Sequence, residues 1–118
     1  MSYEASNPEQ YAGKVVGNGQ CVAFVREASG APATNEWVQG QAVRGAPLSS
    51  GTAIATFVDG TYPNAPTGNH AAIYLSQDDT GLTVWDQWVG QPVHKRVIKF
   101  KGGQGSPSND GDKFSVID

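Results

Sequence analysis

The sequence predicts a single α+β domain, with helical segments first and an antiparallel β-meander after them. Three observations lead to it. The chain has 118 residues, one domain's worth. Apolar residues recur at helical spacing before Pro47, and short apolar runs parted by turn residues follow it. Fifteen glycines and seven prolines interrupt the chain too often for long helices.

Residues 1–10 are polar, with Pro8 suited to start a short helical turn. Gly17, Asn18 and Gly19 form a turn or cap cluster. Residues 20–28 then lack breakers and run into Gly30, a suitable residue just past a helix end. Cys21, Val25 and Ala28 share one face, with Phe24 beside them, so a buried helix with Cys21 in its first turn is expected. After Pro32 a second short helix is expected to start at Thr34 or Asn35 and carry Trp37 and Val38 towards Val43.

Beyond Pro47 the pattern becomes β. Residues 52–57 read as a strand, followed by a turn-rich segment with Gly60, Pro63, Pro66 and Gly68. Residues 70–75 (HAAIYL) suit a buried strand, 77–81 a hairpin turn, 82–88 its partner strand and 93–100 a third strand. Residues 101–112 read as a surface loop, and 114–117 as a closing edge strand. No internal repeat and no second domain is visible, so residues 1–118 are expected to form one unit.

A net charge of −3 supplies no basic field for nucleic acid, nor for passive adhesion to an anionic wall or membrane. One cysteine excludes an internal disulfide and leaves the redox compartment open. The start, MSYEASNPEQYAG, lacks the basic region and apolar run of a secretory signal. No stretch approaches the roughly 18 apolar residues of a membrane span. The chain is therefore expected to be made in the cytoplasm. It would act there, or at the cell wall after non-classical export or lysis.

The lone Cys21 sits where a helix start can lower a thiol's pKa and offer free N–H groups to an oxyanion. Its alternative is a small buried core residue. His70 opens an apolar strand, which fixes its backbone and leaves its ring at the sheet's end. It is the base candidate, and His94, among Lys95 and Arg96 on an expected edge strand, ranks below it. Asp86 lies on the return strand of the hairpin, whose length brings it beside the start of the first strand. A carboxylate there can fix the imidazole tautomer. Two separated histidines and one cysteine lack metal-ligand spacing, and no phosphate loop or other cofactor motif is present. Most of Trp37, Trp85, Trp88, Tyr62 and Tyr74 belong in a core, with Trp37 and Trp88 as groove candidates.

The strings NGQCVAFVRE, EWVQG, GTAIATF, GNHAAIYL and VWDQW together resemble the cysteine, histidine-dependent amidohydrolase/peptidase family over about residues 17–88. That resemblance implies a papain-like fold, and cleavage of peptidoglycan peptides or amide links. It matches Cys21 to the nucleophile, His70 to the base, and Asp86 to an acidic third residue that is more often glutamate. Gln20 matches the glutamine before the nucleophile, implying a part in the oxyanion pocket. Trp88 stands where many members carry asparagine. The partner implied is peptidoglycan or a peptide, with an immunity or delivery protein as a further candidate, and the chain is expected to be a monomer. Two alternatives remain at this level: an acyltransferase or deamidase on the same fold, and a glycan- or peptide-binding module with a degenerate site.

Overall fold

In the computed structural model, which describes residues 2–118, α1 (Cys21–Ser29) packs against one face of a six-stranded antiparallel sheet. The strands are β1 (Gln39–Ala42), β2 (Ala53–Thr56), β3 (Ala71–Gln77), β4 (Gly81–Trp88), β5 (Gln91–Lys99) and β6 (Phe114–Ile117). Their order across the sheet is β1-β6-β2-β3-β4-β5. The expected meander is thus present as β3, β4 and β5.

The period-2 alternation of strand side chains divides the core in two. Ala53, Ala55, Ala71 and Ile73 face α1 and pack with its buried Phe24 and Val25. Ile54, Ala72, Leu82 and Val84 face the other way, against Val43, Ile98 and Phe114. Burying Phe24 and Val25 contributes about 2 kcal/mol each, which ties the helix to the sheet. At the helix end Gly30 adopts φ 75°, a left-handed conformation, and its N–H donates to the Arg26 carbonyl at 2.9 Å. At the helix start, Gln20 is the N-cap and makes no side-chain capping bond. The first N–H groups are thereby left for other partners.

Three expectations are corrected. Residues 34–43 do not form a second α-helix: a 3-10 turn at Thr34–Glu36 gives way to extended chain and β1. The Trp37 indole donates to the Pro32 carbonyl at 2.8 Å, and Val38 and Asp118 exchange backbone hydrogen bonds. These bonds favour pairing at the sheet edge over helix. Gly40 passes so close to the Val116 carbonyl that a Cβ there would sit 2.9 Å from it. Second, β6 does not close an edge but lies between β1 and β2, with all four residues buried. Its unbroken burial is that of an interior strand. Third, the loop after β5 is not purely surface chain. It holds 3-10 turns at Pro107–Asn109 and Gly111–Lys113. The buried Asp110 carboxylate gathers the N–H groups of Lys101, Gly103 and Asp112 at 2.6–2.9 Å.

Candidate active site

Cys21 is the first residue of α1 and half-buried, so its sulfur sits in the partial positive field of the helix start. His70 immediately precedes β3. Its N–H donates to Thr56 Oγ1 at 3.0 Å, while its carbonyl accepts from the Thr56 N–H at 3.0 Å. This buried exchange with β2 fixes the histidine backbone. From β4, the fully buried Asp86 places Oδ2 2.7 Å from His70 Nε2. With Nε2 so occupied, Nδ1 is the nitrogen left to face Cys21, and the two side chains lie close enough for each to favour the other's charged form.

The sulfur has a further partner, the Tyr62 hydroxyl, 3.7 Å from Sγ. Burial alone would push the Cys21 thiol up. Hydrogen bonding and charge from His70, with help from Ala71 and Tyr62, bring it below its ordinary value instead. Burial likewise works against a charged His70, yet the hydrogen bonds to Asp86 and Cys21 raise its pKa to about 9. Burial opposes ionisation of Asp86 too, and His70 and Arg96 outweigh it, so its carboxyl stays below the usual range. Burial, and then the neighbouring thiolate, keep Tyr62 protonated. The arrangement favours a thiolate beside an imidazolium.

The structure brings Cys21, His70 and Asp86 together, and it adds His94, which sequence reasoning had set apart from them. His94 is the direct cross-strand partner of Asp86, and its Nε2 lies 3.1 Å from Asp86 Oδ1. The contact lacks the alignment of a hydrogen bond, and neither atom has another partner. Arg96 Nε donates to Asp86 Oδ2 at 2.9 Å. One carboxylate thus serves two imidazoles and a guanidinium. Arg96 was not singled out from the sequence, Tyr62 was placed mainly in the core, and the buried Gln87 was considered only as a substitute for Asp86. Gln87 had a signal in its place beside Asp86, on the opposite face of the same strand.

The sulfur and His70 open onto a cleft of about 960 Å³ whose walls include Gln20, Tyr62 and Trp88. Trp88 is 41% exposed, with its ring against His94 (5.1 Å) and the Arg96 guanidinium (5.0 Å). Trp37 is not a groove residue: it is 3% exposed and packs behind Tyr62, with ring centroids 5.0 Å apart. Its large apolar surface is used to brace the tyrosine. Arg26 and Arg96 line the cleft, and among the described residues no aspartate or glutamate does.

Residues 1–117 match the family described as domesticated amidase effector 2. The chain is 42% identical over 118 residues to the type VI secretion amidase effector 2 protein of Salmonella typhi, covering 94% of this chain and 88% of that protein. It is 37% identical over 121 residues to domesticated amidase effector 2 of Ixodes scapularis, covering 96% of this chain and 82% of the tick protein. Among solved structures it is similar to type 6 secretion amidase effector 2 (Tae2), with a TM-score of 0.86 at 34% identity, covering 98% of this chain and 94% of that one. This is a narrower group than the cysteine, histidine-dependent amidohydrolases that its motifs resemble. The chain belongs to the domesticated amidase effector 2 family.

Proposed function

We propose that this protein is a thiol amidase that hydrolyses an amide bond of bacterial peptidoglycan, with Cys21 as nucleophile, His70 as proton carrier and Asp86 as the residue that orients and charges His70. The carrying observation is that Tyr62, Cys21 and His70 line a cleft together, with the Tyr62 hydroxyl 3.7 Å from Sγ and Asp86 behind them 2.7 Å from His70 Nε2. Amidase effector relatives support the reaction class. The sequence resemblance supports peptidoglycan as substrate and a papain-like arrangement of the site. The type VI secretion names of two relatives support delivery as an effector. On this reading it acts at the cell wall, and an immunity protein in the producing cell is its further partner.

The Cys21 thiolate attacks the amide carbonyl carbon, forming a C–S bond and an oxyanion at the uncapped helix start. As the oxyanion collapses the C–N bond breaks, and His70 Nδ1 gives its proton to the departing nitrogen. The products of this half are a thioester and a free amine. The neutral His70 then takes a proton from water, which attacks the thioester. The C–S bond breaks, the carboxylic acid leaves, and the thiolate–imidazolium pair returns. Asp86 accepts from Nε2–H throughout and stabilises the positive ring. A cleft with two arginines and no carboxylate suits a peptide that carries free carboxylates.

Mass spectrometry of purified peptidoglycan digested by the protein and by Cys21→Ala tests this reading. The expected result is new amine-bearing fragments from the wild type and none from the variant. An unchanged wall after wild-type treatment, or equal release by both proteins, would overturn it.

A further inference from the structure

Gln87 is fully buried on the α1-facing side of β4, and its amide is spent entirely on the turn before Cys21. Oε1 accepts from the Val16 N–H at 2.9 Å. Nε2 donates to the Val16 carbonyl at 2.9 Å and to the Gln20 carbonyl at 2.8 Å. One side chain therefore pins both ends of the Gly17-Asn18-Gly19 turn to the sheet. A peptide unit is planar and trans, so the Gln20 carbonyl and the Cys21 N–H point in opposite directions. The same oxygen also accepts from the Ala23 N–H at 3.1 Å, so Gln87 supplies the tie that fixes it to the sheet, the Cys21 N–H points the opposite way, and Gln20 adds no side-chain cap.

We infer that Gln87 is a positioning residue for the oxyanion donor: by gripping the Gln20 carbonyl it aims the Cys21 N–H at the oxygen of the carbonyl that Sγ attacks. This role rests on the thiol-amidase reading above, and it is separate from the proton network. Asp86 and Gln87 are consecutive on β4 and face opposite sides of the sheet. Asp86 serves the base on one side, and Gln87 serves the nucleophile's peptide on the other. No proton need move through Gln87.

The discriminating comparison is amide hydrolysis against alkylation. Iodoacetamide reacts at a saturated carbon and generates no oxyanion on a carbonyl, so it reports the thiolate alone. Gln87→Leu is the stringent variant. Gln87→Glu, which keeps size and acceptor but removes both N–H donors, serves if leucine leaves too many backbone groups unpaired to fold. On a soluble peptidoglycan fragment, kcat is expected to fall roughly 10²-fold, the size of losing one oxyanion donor, with KM changed little. The iodoacetamide rate and its pH midpoint should match the wild type, and amide exchange at Val16 should accelerate. Equal losses in hydrolysis and alkylation would reduce Gln87 to a general structural clamp and overturn the inference, as would unchanged hydrolysis in a folded variant. Absence of product with the wild type, while its thiol still alkylates rapidly, overturns the amidase reading and this inference together. Wild-type turnover with an unaffected Gln87 variant removes only the latter.

Discussion

Asp86 carries the charge balance of the site, because its two oxygens face His70, Arg96 and His94. His70 is the group that meets the sulfur, whereas His94 reaches it only through Asp86. His70→Ala should lower turnover by at least roughly 10²-fold, the usual worth of general acid–base assistance. His94→Ala should cost less, about threefold to tenfold, since Oδ2 keeps its partners His70 and Arg96 and the carboxylate stays ionised. Steady-state rates on a peptidoglycan fragment decide this, and losses of equal size would place both imidazoles in the proton path. The pH profile follows from the same contacts. In the proposed mechanism the imidazolium protonates the leaving nitrogen, so activity should fall on the alkaline side as His70 loses its proton near pH 9. The acid limb belongs to the thiol, and its alkylation midpoint should lie below the ordinary value of about 8.5. An ordinary or raised midpoint in the folded protein would count against Cys21 as nucleophile. Cys21, His70 and Asp86 were legible in the sequence because each sits at an element start or at a distance fixed by one hairpin. His94 and Arg96 were not, because their side chains reach Asp86 only through the β4–β5 register.

Elements differ in how much of their position a local pattern can show. The three strands of the meander were readable from alternating or apolar runs divided by Gly and Asp turns. Strand β6 was readable as a strand but not by its place, since the insertion between β1 and β2 depends on pairing with residues 58 to 78 positions earlier. Residues 34–43 were misread because a possible cap at Thr34 or Asn35 and the apolar Trp37 and Val38 are equally compatible with a helix start. Hydrogen bonds from Val38 to Asp118, at the far end of the chain, tipped the segment to strand. The interior position of β6 has a measurable consequence. Deleting residues 114–118 removes buried Phe114, Val116 and Ile117 together with the ladder on both neighbouring strands. Phe114→Ala alone should cost about 3–5 kcal/mol. The deletion should therefore abolish cooperative thermal unfolding followed by circular dichroism. A cleanly melting truncated protein would mean that β6 behaves as a dispensable edge.

Charge is distributed over the whole molecule in a way that the net value hides. The chain carries eleven acidic and eight basic side chains, yet no acidic one lines the cleft, where Arg26 and Arg96 do. Asp86 lies behind the wall and is already engaged by Arg96. Among the described residues no carboxylate forms an ion pair with Arg26. Arg26 follows Cys21 by five residues on α1, about 7.5 Å along the helix axis. It is thus placed beside the reacting thiol, where it can meet a carboxylate on a bound peptide. Such a contact assists binding more than chemistry. Arg26→Gln should raise KM several-fold on a carboxylate-bearing peptidoglycan fragment and leave kcat nearly unchanged. Because the guanidinium is exposed, salt should erase much of the difference between the proteins. Raising ionic strength from 0.01 to 0.15 M shortens the screening length from about 30 to about 8 Å. Wild-type kcat/KM should fall across that range more steeply than that of Arg26→Gln. The same substrate with its carboxylates amidated supplies the control, since both proteins should then cleave it at similar kcat/KM and with little dependence on salt. A KM unaffected by Arg26→Gln at low salt would show that the positive wall does not read the substrate's charge.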